Sequence, residues 1–496
     1  MSIVKVTKLT KNSNNMAVIM LYHKGNRYSY HAILGSLEKH QIDEKVNIII
    51  LNTYHLKNHG ELEKALHGLS IKYEKIIVLL SLMSTQLPDR LSSFRVINHL
   101  KEKLEKQKKK FIFVIGGPHS SGDPIGTLEL GADIVFIGES EIYLSKLIEK
   151  ILESKYNDSI FDNINDVKGI VYRVNSDIIY TGPQEPCNLD DYPPFSVRYK
   201  MFSPIEITRG CSFGCLFCET PFLFGGKVRH RNIETIKFYV KTMIENNKKD
   251  VRFITPNAMS YGSKLGNVPD YDAVKNLVLE LNEFKQKYRI RIFLGSFPSE
   301  VRPEHINYEI MSFLRKYLNN DRIIVGAQSG SDYILRKINR GHTTNDVENA
   351  VKILRACGFI PDVDFIFGLP GESKKELYDT IRFMDKLVSM GARIHAHSFL
   401  PLPGTPFEDY KPRQIPQEIK NYIFKIAGRG HAYGQWERQE KTALELWKLR
   451  LKGIIMSRKL FFELRRKKRI SIEKLRYMNE HYLQKLINES QTTSMN

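Results

Sequence analysis

A chain of 496 residues is too long for a single ordinary hydrophobic core, so we expect roughly three domains. Hydrophobic residues make up 42% and aromatic residues 10% of it, as in globular proteins, and no apolar run approaches the ~20 residues of a membrane span. The excess of 75 Lys and Arg over 55 Asp and Glu gives a net charge of +20, which is compatible with nucleic acid, an acidic substrate or an anionic cofactor, and equally with a solvated basic surface.

The opening residues, MSIVKVTKLTKNSNN, lack the apolar core of a signal peptide. There are only five cysteines, and three of them fall within eight residues, which is not the distribution of a disulfide scaffold. We therefore expect a soluble protein of the reducing cytoplasm that makes no membrane contact.

The amino-terminal part of the chain alternates short apolar strands with helical stretches such as Leu91–Gln107. This alternation is typical of an α/β, doubly wound parallel sheet, in which ligands bind at the carboxyl ends of the strands. Two alternating runs in VKGIVYRVNSDIIYT (167–181) then predict a hairpin. The candidate strands are Met16–Tyr22, Val46–Leu51, Lys75–Leu80, Phe111–Ile115 and Asp133–Ile137.

The linker Asp190–Pro204 is rich in Pro and aromatic residues, and a second strand and helix alternation follows it. Six strands are too few for the eight of a closed barrel, so we expect a partial (β/α)6 barrel with an open side. Residues 413–496 look helical, which sets the predicted domains at 1–190, 191–412 and 413–496. The six strands are Ile205–Thr208, Val251–Thr255, Ile290–Gly295, Arg322–Ala327, Pro361–Phe367 and Ile394–Leu400.

The segment TRGCSFGCLFCETP (208–221) spaces Cys211, Cys215 and Cys218 as Cys-x3-Cys-x2-Cys. Three thiolates on one loop can share a metal centre, whereas a single zinc ion would require a fourth protein ligand, and none is near in sequence. A [4Fe–4S] cube on three cysteines leaves one iron open, and an open iron can chelate a substrate for reductive cleavage. The alternative is three unrelated buried cysteines.

This loop resembles the cluster loop of the radical S-adenosylmethionine (SAM) superfamily, with Phe217 in the usual aromatic position. Three later segments resemble the family's fourth, fifth and last barrel strands, in the same order: VGAQSGSDYILRKINRGHT (325–343), DVDFIFGLPGES (362–373) and SFLPLPGTPFED (398–409). The resemblance implies a [4Fe–4S] cluster, SAM on its open iron, and an external electron donor such as ferredoxin or flavodoxin.

The resemblance also implies contacts to SAM, although the usual Gly-Gly-Glu segment after the second strand is replaced by TPNAMSYG (255–262). Plain barrel packing is the alternative for each position, above all for Ile366 and Leu369. The implied SAM contacts are Pro256 and Asn257 in place of that segment, Gln328 and Ser329 at the ribose or carboxylate, and Ile366, Gly368 and Leu369 at the adenine.

Two segments of the amino-terminal domain, LLSLMSTQLPDR (79–90) and VIGGPHSSGDPIGTLELGADIVFIGESE (114–141), begin at predicted strand ends. Ser81 and Ser84 offer hydroxyls there, and Gly116 and Gly117 leave room for a planar ligand, although tight turns and helix caps would explain glycines alone. The pattern as a whole resembles the cobalamin-binding domain that precedes many radical SAM domains.

One departure concerns the lower cobalt ligand. The first strand-to-helix loop, YHKGNRYSYH, lacks the Asp-x-His-x-x-Gly motif of proteins that ligate cobalt by histidine. We therefore expect cobalamin to bind base-off with no histidine ligand, so that His23 is not bound to cobalt. A degenerate domain that binds no cobalamin is the alternative.

The carboxy-terminal segment KLFFELRRKKRISIEKLRYM (459–478) mixes basic and apolar residues at helical spacing. It could bind RNA or an acidic protein surface, but a solvated helix face is the more common explanation, so a nucleic-acid partner is possible and not favoured.

The resemblances together predict a cobalamin-dependent radical methyltransferase that adds a methyl group to an unactivated carbon of an unknown substrate, a protein side chain or a small molecule. Three alternatives stay open. They are a methylthiotransferase acting on tRNA or protein, a cobalamin-dependent cyclase or rearrangement enzyme, and a non-enzymatic iron–sulfur protein that binds nucleic acid. Methylthiotransferases carry a second cluster on three amino-terminal cysteines, whereas only Cys187 precedes Cys211 here.

Overall fold

The computed structural model describes residues 6–8, 15–53, 59–154 and 159–492. The prediction that no signal peptide opens the chain falls mainly on residues 1–5 and 9–14, which lie outside the described residues. Among the helices of the described ranges, none is both long and apolar enough to cross a membrane.

The amino-terminal domain is built on a mixed sheet in which β3, β2, β4, β5 and β6 run parallel, between antiparallel β1 on one side and the hairpin β7–β8 on the other. Its strands are β1 (Val6–Lys8), β2 (Met16–Tyr22), β3 (Asn47–Asn52), β4 (Lys75–Ser81), β5 (Lys110–Gly116), β6 (Ile134–Phe136), β7 (Ile170–Val174) and β8 (Asp177–Tyr180). Its helices are α1 (Arg27–Lys39), α2 (Ile42–Lys45), α3 (His59–Lys72), α4 (Leu87–Lys106), α5 (Pro118–Gly122), α6 (Pro124–Glu129) and α7 (Tyr143–Glu153).

The strands of this sheet are continuous apolar runs, and helices bury both of its faces. Along β2, Ala17 and Ile19 pack into one hydrophobic cluster with α3 and α4, while Val18 and Met20 pack into a second cluster with α1 and α7. Helices on both faces of a parallel core confirm the predicted doubly wound fold.

The second region is an open barrel formed from two sheets. One has the order β13-β12-β9, and the other contains β14, β15 and β16; single parallel bridges, Thr255 to Ser299 and Val301 to Val325, connect them. Its strands are β9 (Ile205–Glu206), β10 (Thr208–Arg209), β11 (Arg229–His230), β12 (Asp250–Ile254), β13 (Arg291–Phe293), β14 (Arg322–Gln328), β15 (Ile360–Phe367) and β16 (Arg393–Ser398). Its helices are α8 (Thr220–Phe224), α9 (Ile233–Glu245), α10 (Tyr271–Tyr288), α11 (Tyr308–Tyr317), α12 (Asp332–Lys337), α13 (Thr344–Ala356) and α14 (Lys374–Ser389).

All six predicted barrel strands are present, the first of them split into β9 and β10. Alternation along each strand decides which side chains face the interior. On β15, Val363, Phe365 and Phe367 pack into the core shared with the helices, so that Asp364 and Ile366 face the barrel interior.

The carboxy-terminal region is mainly helical, as predicted, and adds two short strands that the sequence analysis did not predict. One lies beside β16 in the barrel, and the other lies beside β8 and completes the amino-terminal sheet. The predicted boundary at residue 412 stays a prediction, since this region joins the sheets of both others. Its elements are α15 (Gln417–Gly428), β17 (Ala432–Gly434), α16 (Trp436–Leu451), α17 (Arg458–Lys467), β18 (Arg469–Ser471) and α18 (Ile472–Thr492).

The amino-terminal domain meets the barrel backbone to backbone. A Cβ atom on Gly122 of α5 would lie 2.2 Å from the carbonyl oxygen of Pro403, so only glycine fits there. Next to it, the carboxylate of Asp123 accepts hydrogen bonds from the Gly126 and Met456 backbone N–H groups, both at 2.8 Å. These contacts hold the loop after β5 against the barrel at Pro403 and against the carboxy-terminal region at Met456.

Candidate active site

The three clustered cysteines lie on the loop between β10 and α8. Backbone hydrogen bonds shape this loop: Leu216 N donates to Ile338 O at 3.1 Å, and Cys218 N donates to Cys215 O at 3.1 Å. None of the three is in a disulfide, and Cys215 is buried.

Burial raises the pKa of the Cys218 thiol to about 12 and also raises the pKa of Cys211, and the negative charge of Cys215 acts on both in the same direction. Each thiolate is therefore costly unless a cation compensates it, and metal binding supplies that compensation. Three free thiols on one loop fit a [4Fe–4S] cluster held by Cys211, Cys215 and Cys218.

Two arginines bring positive charge to the same loop. Arg340 Nη1 lies 3.5 Å and Arg302 Nη1 4.0 Å from Cys215 Sγ, and the Arg302 guanidinium stacks 3.6 Å from the centre of the Phe213 ring. Asn339 Nδ2 donates to the carbonyl oxygens of Phe213 and Gly214 at 3.0 and 3.1 Å. Sequence reasoning assigned no role to these side chains; the available signal was the INRGHT segment, which carries Asn339 and Arg340.

An apolar wall stands beside the cysteine loop. Phe217 and Ile366 both pack against a small buried cluster that includes Ile338 and Leu369. The structure thus brings together three predicted site residues, Phe217, Ile366 and Leu369. Gly368 has a φ of 79°, and its N–H donates to Glu372 Oε2 at 2.6 Å, so this glycine is required by the turn itself.

The other predicted SAM residues differ in their surroundings. Gln328 ends β14 with a φ of 75°, and its side chain lies over Gly326, as does that of Arg340. Pro256 is partly exposed at the end of β12. Two further residues have their side chains occupied within the protein: Asn257 Nδ2 donates to Ser260 Oγ at 2.6 Å, and Ser329 Oγ accepts from Ser331 N at 3.2 Å.

A cavity of about 250 Å³ lies where the amino-terminal strand ends face the barrel. The predicted residues Ser81, Gly116 and Gly117 line it, together with Glu206 and Ile254 of the first two barrel strands. Ser84 is absent from the lining; its Oγ lies 3.2 Å from His119 Nδ1 and 3.5 Å from Glu219 Oε1.

The glycines of this cavity serve different purposes. A Cβ on Gly116 would meet only the Cβ of Phe136 at 3.5 Å, and one on Gly138 only Leu223 O at 3.9 Å, so both leave room for a ligand. Gly117 has a φ of 100°, and its Cβ would lie 2.9 Å from the backbone N and O of Leu82. Glycine is therefore required at 117 by the adjoining backbone and at 138 by its φ of 76°, while Gly116 and Gly138 both leave open space beside the cavity.

A buried charge network joins the cavity to the cysteine loop. The Arg209 guanidinium pairs with Glu139 at 2.9 Å, Glu141 at 2.7 Å and Glu206 at 2.6 Å, and Arg229 also pairs with Glu139. Burial opposes ionisation of Glu139, but the hydrogen bond from Arg229 and the charge of Arg209 outweigh it and lower the pKa of Glu139 to about 2. This network connects the TRG and GESE segments across the two domains.

Comparison with known proteins agrees with this architecture. Residues 205–384 match the radical SAM superfamily model. An uncharacterized protein of Methanocaldococcus jannaschii is 27% identical over 370 residues, which is 65% of this chain and 69% of that protein. A tRNA-2-methylthio-N(6)-dimethylallyladenosine synthase of Ehrlichia ruminantium is 29% identical over 230 residues, 46% of this chain and 49% of the synthase, so the chain spans about half of that relative.

Two solved structures share the fold across both domains. One is the radical SAM methyltransferase TsrM from Kitasatospora setae, solved with cobalamin and a [4Fe–4S] cluster bound. It aligns with a TM-score of 0.59 at 15% identity, and the alignment covers 81% of this chain and 76% of the TsrM chain. The other is the cobalamin-dependent SAM radical enzyme OxsB, solved with aqua-cobalamin and SAM. It aligns with a TM-score of 0.59 at 14% identity, and the alignment covers 90% of this chain and 62% of the OxsB chain. Because the family match contains the cysteine loop and the shared fold also includes the preceding sheet, residues 205–384 form a radical SAM domain, and the chain has the fold of solved cobalamin-dependent radical SAM enzymes.

Proposed function

We propose that this chain is a cobalamin-dependent radical SAM methyltransferase that methylates an unactivated carbon. The observation that supports this most is the cavity between the two domains, in which Gly116 of the amino-terminal sheet and Ile254 of the barrel line one space. Radical transfer of a methyl group requires donor and acceptor in near contact, and a space shared by both domains suits that requirement.

In this proposal Cys211, Cys215 and Cys218 hold the cluster, and Arg340 and Arg302 offset the negative charge beside Cys215. When bound, the cluster with SAM supplies a hydrogen-abstracting radical, and cobalamin supplies the methyl group. The apolar wall of Phe217, Ile366 and Leu369 excludes water on one side of the loop, where adenine would pack.

For cobalamin, Gly116 and Gly138 provide the open space and Ser81 a hydroxyl at the strand ends. No histidine is among the described residues that line the cavity, and His23 Nδ1 accepts from Gly25 N at 3.0 Å, which supports binding without a histidine ligand. At about 250 Å³ the cavity is smaller than a whole corrinoid, so the proposal requires the surrounding walls to move when cobalamin enters.

A methylthiotransferase is the second candidate, because several sequence relatives carry that name, among them a threonylcarbamoyladenosine tRNA methylthiotransferase of Thermotoga maritima at 24% identity. The cysteines oppose it. Only Cys187 precedes the cluster loop in the sequence, and its Sγ accepts a hydrogen bond from Arg209 at 3.4 Å. Three free amino-terminal thiols for a second cluster are therefore not present.

The substrate class stays a prediction: a protein side chain or a small molecule. So do the external electron donor, the cytoplasmic location and the absence of a membrane partner, while nucleic acid is a possible partner that is not favoured. Ring closure or rearrangement with the same cofactors is the remaining alternative reaction.

The decisive experiment is anaerobic reconstitution with iron, sulfide and cobalamin, followed by incubation with methyl-labelled SAM, a reductant and extract of the host. We expect 5′-deoxyadenosine and a product that gains one labelled methyl group by mass spectrometry, both abolished in Cys215→Ala. A product that gains methylthio instead, or 5′-deoxyadenosine without any labelled product, would overturn the methyltransferase assignment.

A further inference from the structure

Three metal-ligating side chains converge inside the barrel, away from the cysteine loop. Asp364 lies on β15 directly opposite His395 on β16, and His397 is two residues further along the same face of β16. Asp364 Oδ1 lies 2.9 Å from His395 Nδ1, His397 Nε2 lies 3.1 Å from His395 Nδ1, and His397 Nε2 lies 3.9 Å from Asp364 Oδ1.

Two of these three spacings are those of ligands around a single ion. With metal–ligand bonds of about 2.1 Å, two ligands at right angles lie about 3.0 Å apart, and two in a tetrahedral site lie about 3.4 Å apart. The distances of 2.9 and 3.1 Å match the right-angled spacing, and the 3.9 Å distance between His397 Nε2 and Asp364 Oδ1 must shorten by about 0.5 Å to reach the tetrahedral one. Two histidines and one carboxylate on one side of an ion are a set that first-row transition metals bind, with coordination positions left open.

Hydrogen bonding alone does not satisfy this arrangement. The Nδ1 of His395 faces both the Asp364 carboxylate and the His397 ring nitrogen, but a ring nitrogen either donates one proton or accepts at one lone pair. One of the two contacts is therefore unsatisfied in the metal-free protein. A cation at the centre would satisfy all three atoms together.

Among the described residues, no lysine or arginine forms an ion pair with the carboxylate of Asp364. Within residues 159–492, its hydrogen bond and ion pairs are to the two histidines only. Asp362, two residues earlier on the same strand, instead has Arg322 and Arg393 each at 3.9 Å. Asp362 is therefore flanked by two positive charges, whereas Asp364 faces the two histidine rings.

Neighbouring groups already orient both rings. The His395 ring stacks on Tyr433 with centroids 4.4 Å apart and planes at 8°. Gln439 Oε1 accepts from Ser398 N at 3.0 Å, and Gln439 Nε2 lies 3.2 Å from His397 Nδ1. Ligation through Nε2 places the ring proton on Nδ1, so metal binding requires the Gln439 amide to rotate and present its oxygen to His397.

We propose that Asp364, His395 and His397 bind a divalent first-row transition metal inside the barrel. Asp364 and His395 lie two residues before Ile366 and His397 on the paired strands, so the ion lies within about 7 Å of the apolar wall along the strand. Its open positions face the barrel interior, where they bind an oxygen-donor group of a substrate. The site is separate from the cluster and does not depend on the methyltransferase assignment.

The test uses the full-length chain with its cluster reconstituted and loosely bound metal removed by dialysis. Co²⁺ is titrated anaerobically and followed by its d–d absorption and electron paramagnetic resonance, and bound Zn²⁺ is counted by mass spectrometry of the metal. We expect one Co²⁺ per chain beyond the cluster iron. Binding should weaken at least ten-fold in His395→Ala and in Asp364→Asn, a nearly isosteric change that keeps the barrel filled.

The matched control is His431→Ala, an exposed histidine just before β17, which should bind Co²⁺ like the parent chain. The triple variant Cys211→Ala, Cys215→Ala, Cys218→Ala should lose cluster iron and keep the Co²⁺ site. Failure of the parent chain to bind Co²⁺ or Zn²⁺ stoichiometrically, equal binding in Asp364→Asn and the parent, or loss of Co²⁺ binding in the cysteine variant alone would each overturn the proposal. None of these readouts requires turnover, so they are independent of methyl transfer.

Discussion

The guanidinium of Arg340 lies 3.5 Å from the Sγ of Cys215, so a permanent positive charge touches one of the three thiols that fit the cluster. A reduced cluster carries one more negative charge than an oxidised one, and nearby cations and hydrogen bonds to sulfur stabilise it. Arg340→Gln should therefore shift the cluster's midpoint potential to more negative values, as measured by redox titration with electron paramagnetic resonance. Arg340→Lys keeps the charge and should shift it less; equal potentials in Arg340→Gln and the parent would show that this contact does not tune the cluster.

Single cysteine replacements should separate ligands from bystanders. Cys211→Ala, Cys215→Ala and Cys218→Ala should each lose the four-iron cluster and the formation of 5′-deoxyadenosine, because a cube held by two thiols is not retained. Cys187→Ala and Cys357→Ala are the controls and should keep both. Iron and sulfide analysis after reconstitution measures the outcome, and full iron content in Cys215→Ala would contradict the assignment.

Ile366 is a sharper probe of the SAM site than Gly368, whose φ of 79° would strain any larger residue whatever binds there. Ile366→Gln replaces an apolar surface inside the barrel by a polar one. Since burying such a side chain is worth roughly 1.5–3 kcal/mol, affinity for SAM should fall by about ten- to a hundred-fold. Ile324→Gln, on the same interior face but nearer the start of its strand, should leave affinity unchanged. If calorimetry gives Ile366→Gln the same affinity for SAM as Ile324→Gln, β15 does not contribute to the SAM site.

Cobalamin binding is best tested at Gly116, because an added Cβ there makes only an ordinary contact with Phe136, at 3.5 Å. Gly116→Val should keep the fold and lower cobalamin retention, whereas Gly117→Leu should destabilise the protein with or without cobalamin, since its side chain would meet the backbone of Leu82. His23→Ala should leave the spectrum of the bound corrinoid unchanged. Retention is measured by absorbance after gel filtration, with Gly68→Val on α3 as the control. Equal retention in Gly116→Val would place cobalamin elsewhere.

The free energy of unfolding should depend on pH through the ionisation of Glu139. Its pKa is about 2 in the folded chain against an ordinary 4.5, so its ionised form stabilises the fold fully above pH 4.5, and this contribution is lost as pH falls towards 2. Glu139→Gln should cost about 3 kcal/mol at pH 7, because it leaves Arg209 and Arg229 short of a partner, and the difference from the parent should shrink below pH 4.5. Urea unfolding between pH 7 and about 2 measures this, with the exposed Glu283→Gln as control. A difference that is constant with pH would contradict the assignment.

The strands and the cysteine loop were predictable because their signals are local. Each parallel strand is a continuous apolar run between turns, and the cluster loop is defined by spacings of three and two residues. The short strands β17 and β18 have only three residues each, and β18 pairs with a strand almost 300 positions earlier, so no local pattern indicates them.

The side chains around the cluster were harder to identify. Among 75 Lys and Arg, nothing local marks Arg302 and Arg340 as the two that reach Cys215, since the turns that bring them there are set by long-range packing. The alternation of histidines in RIHAHS placed His395 and His397 on one face of a predicted strand, and that signal was available. Its partner Asp364 is decided by the register of β15 with β16, which only the structure reveals.

The pairing of β18 with β8 has a consequence for how the chain is made. The outer edge of β8 at Asp177–Tyr180 meets its partner only after Arg469–Ser471 has been synthesised, with the entire barrel in between. At a translation rate of ~5–20 residues per second, that edge stays unpaired for roughly 15 to 60 s during synthesis. An unpaired strand edge is a template for association with other chains, so this interval is when the nascent protein is most exposed to aggregation. A segment almost 300 positions further along the chain thus completes the amino-terminal sheet.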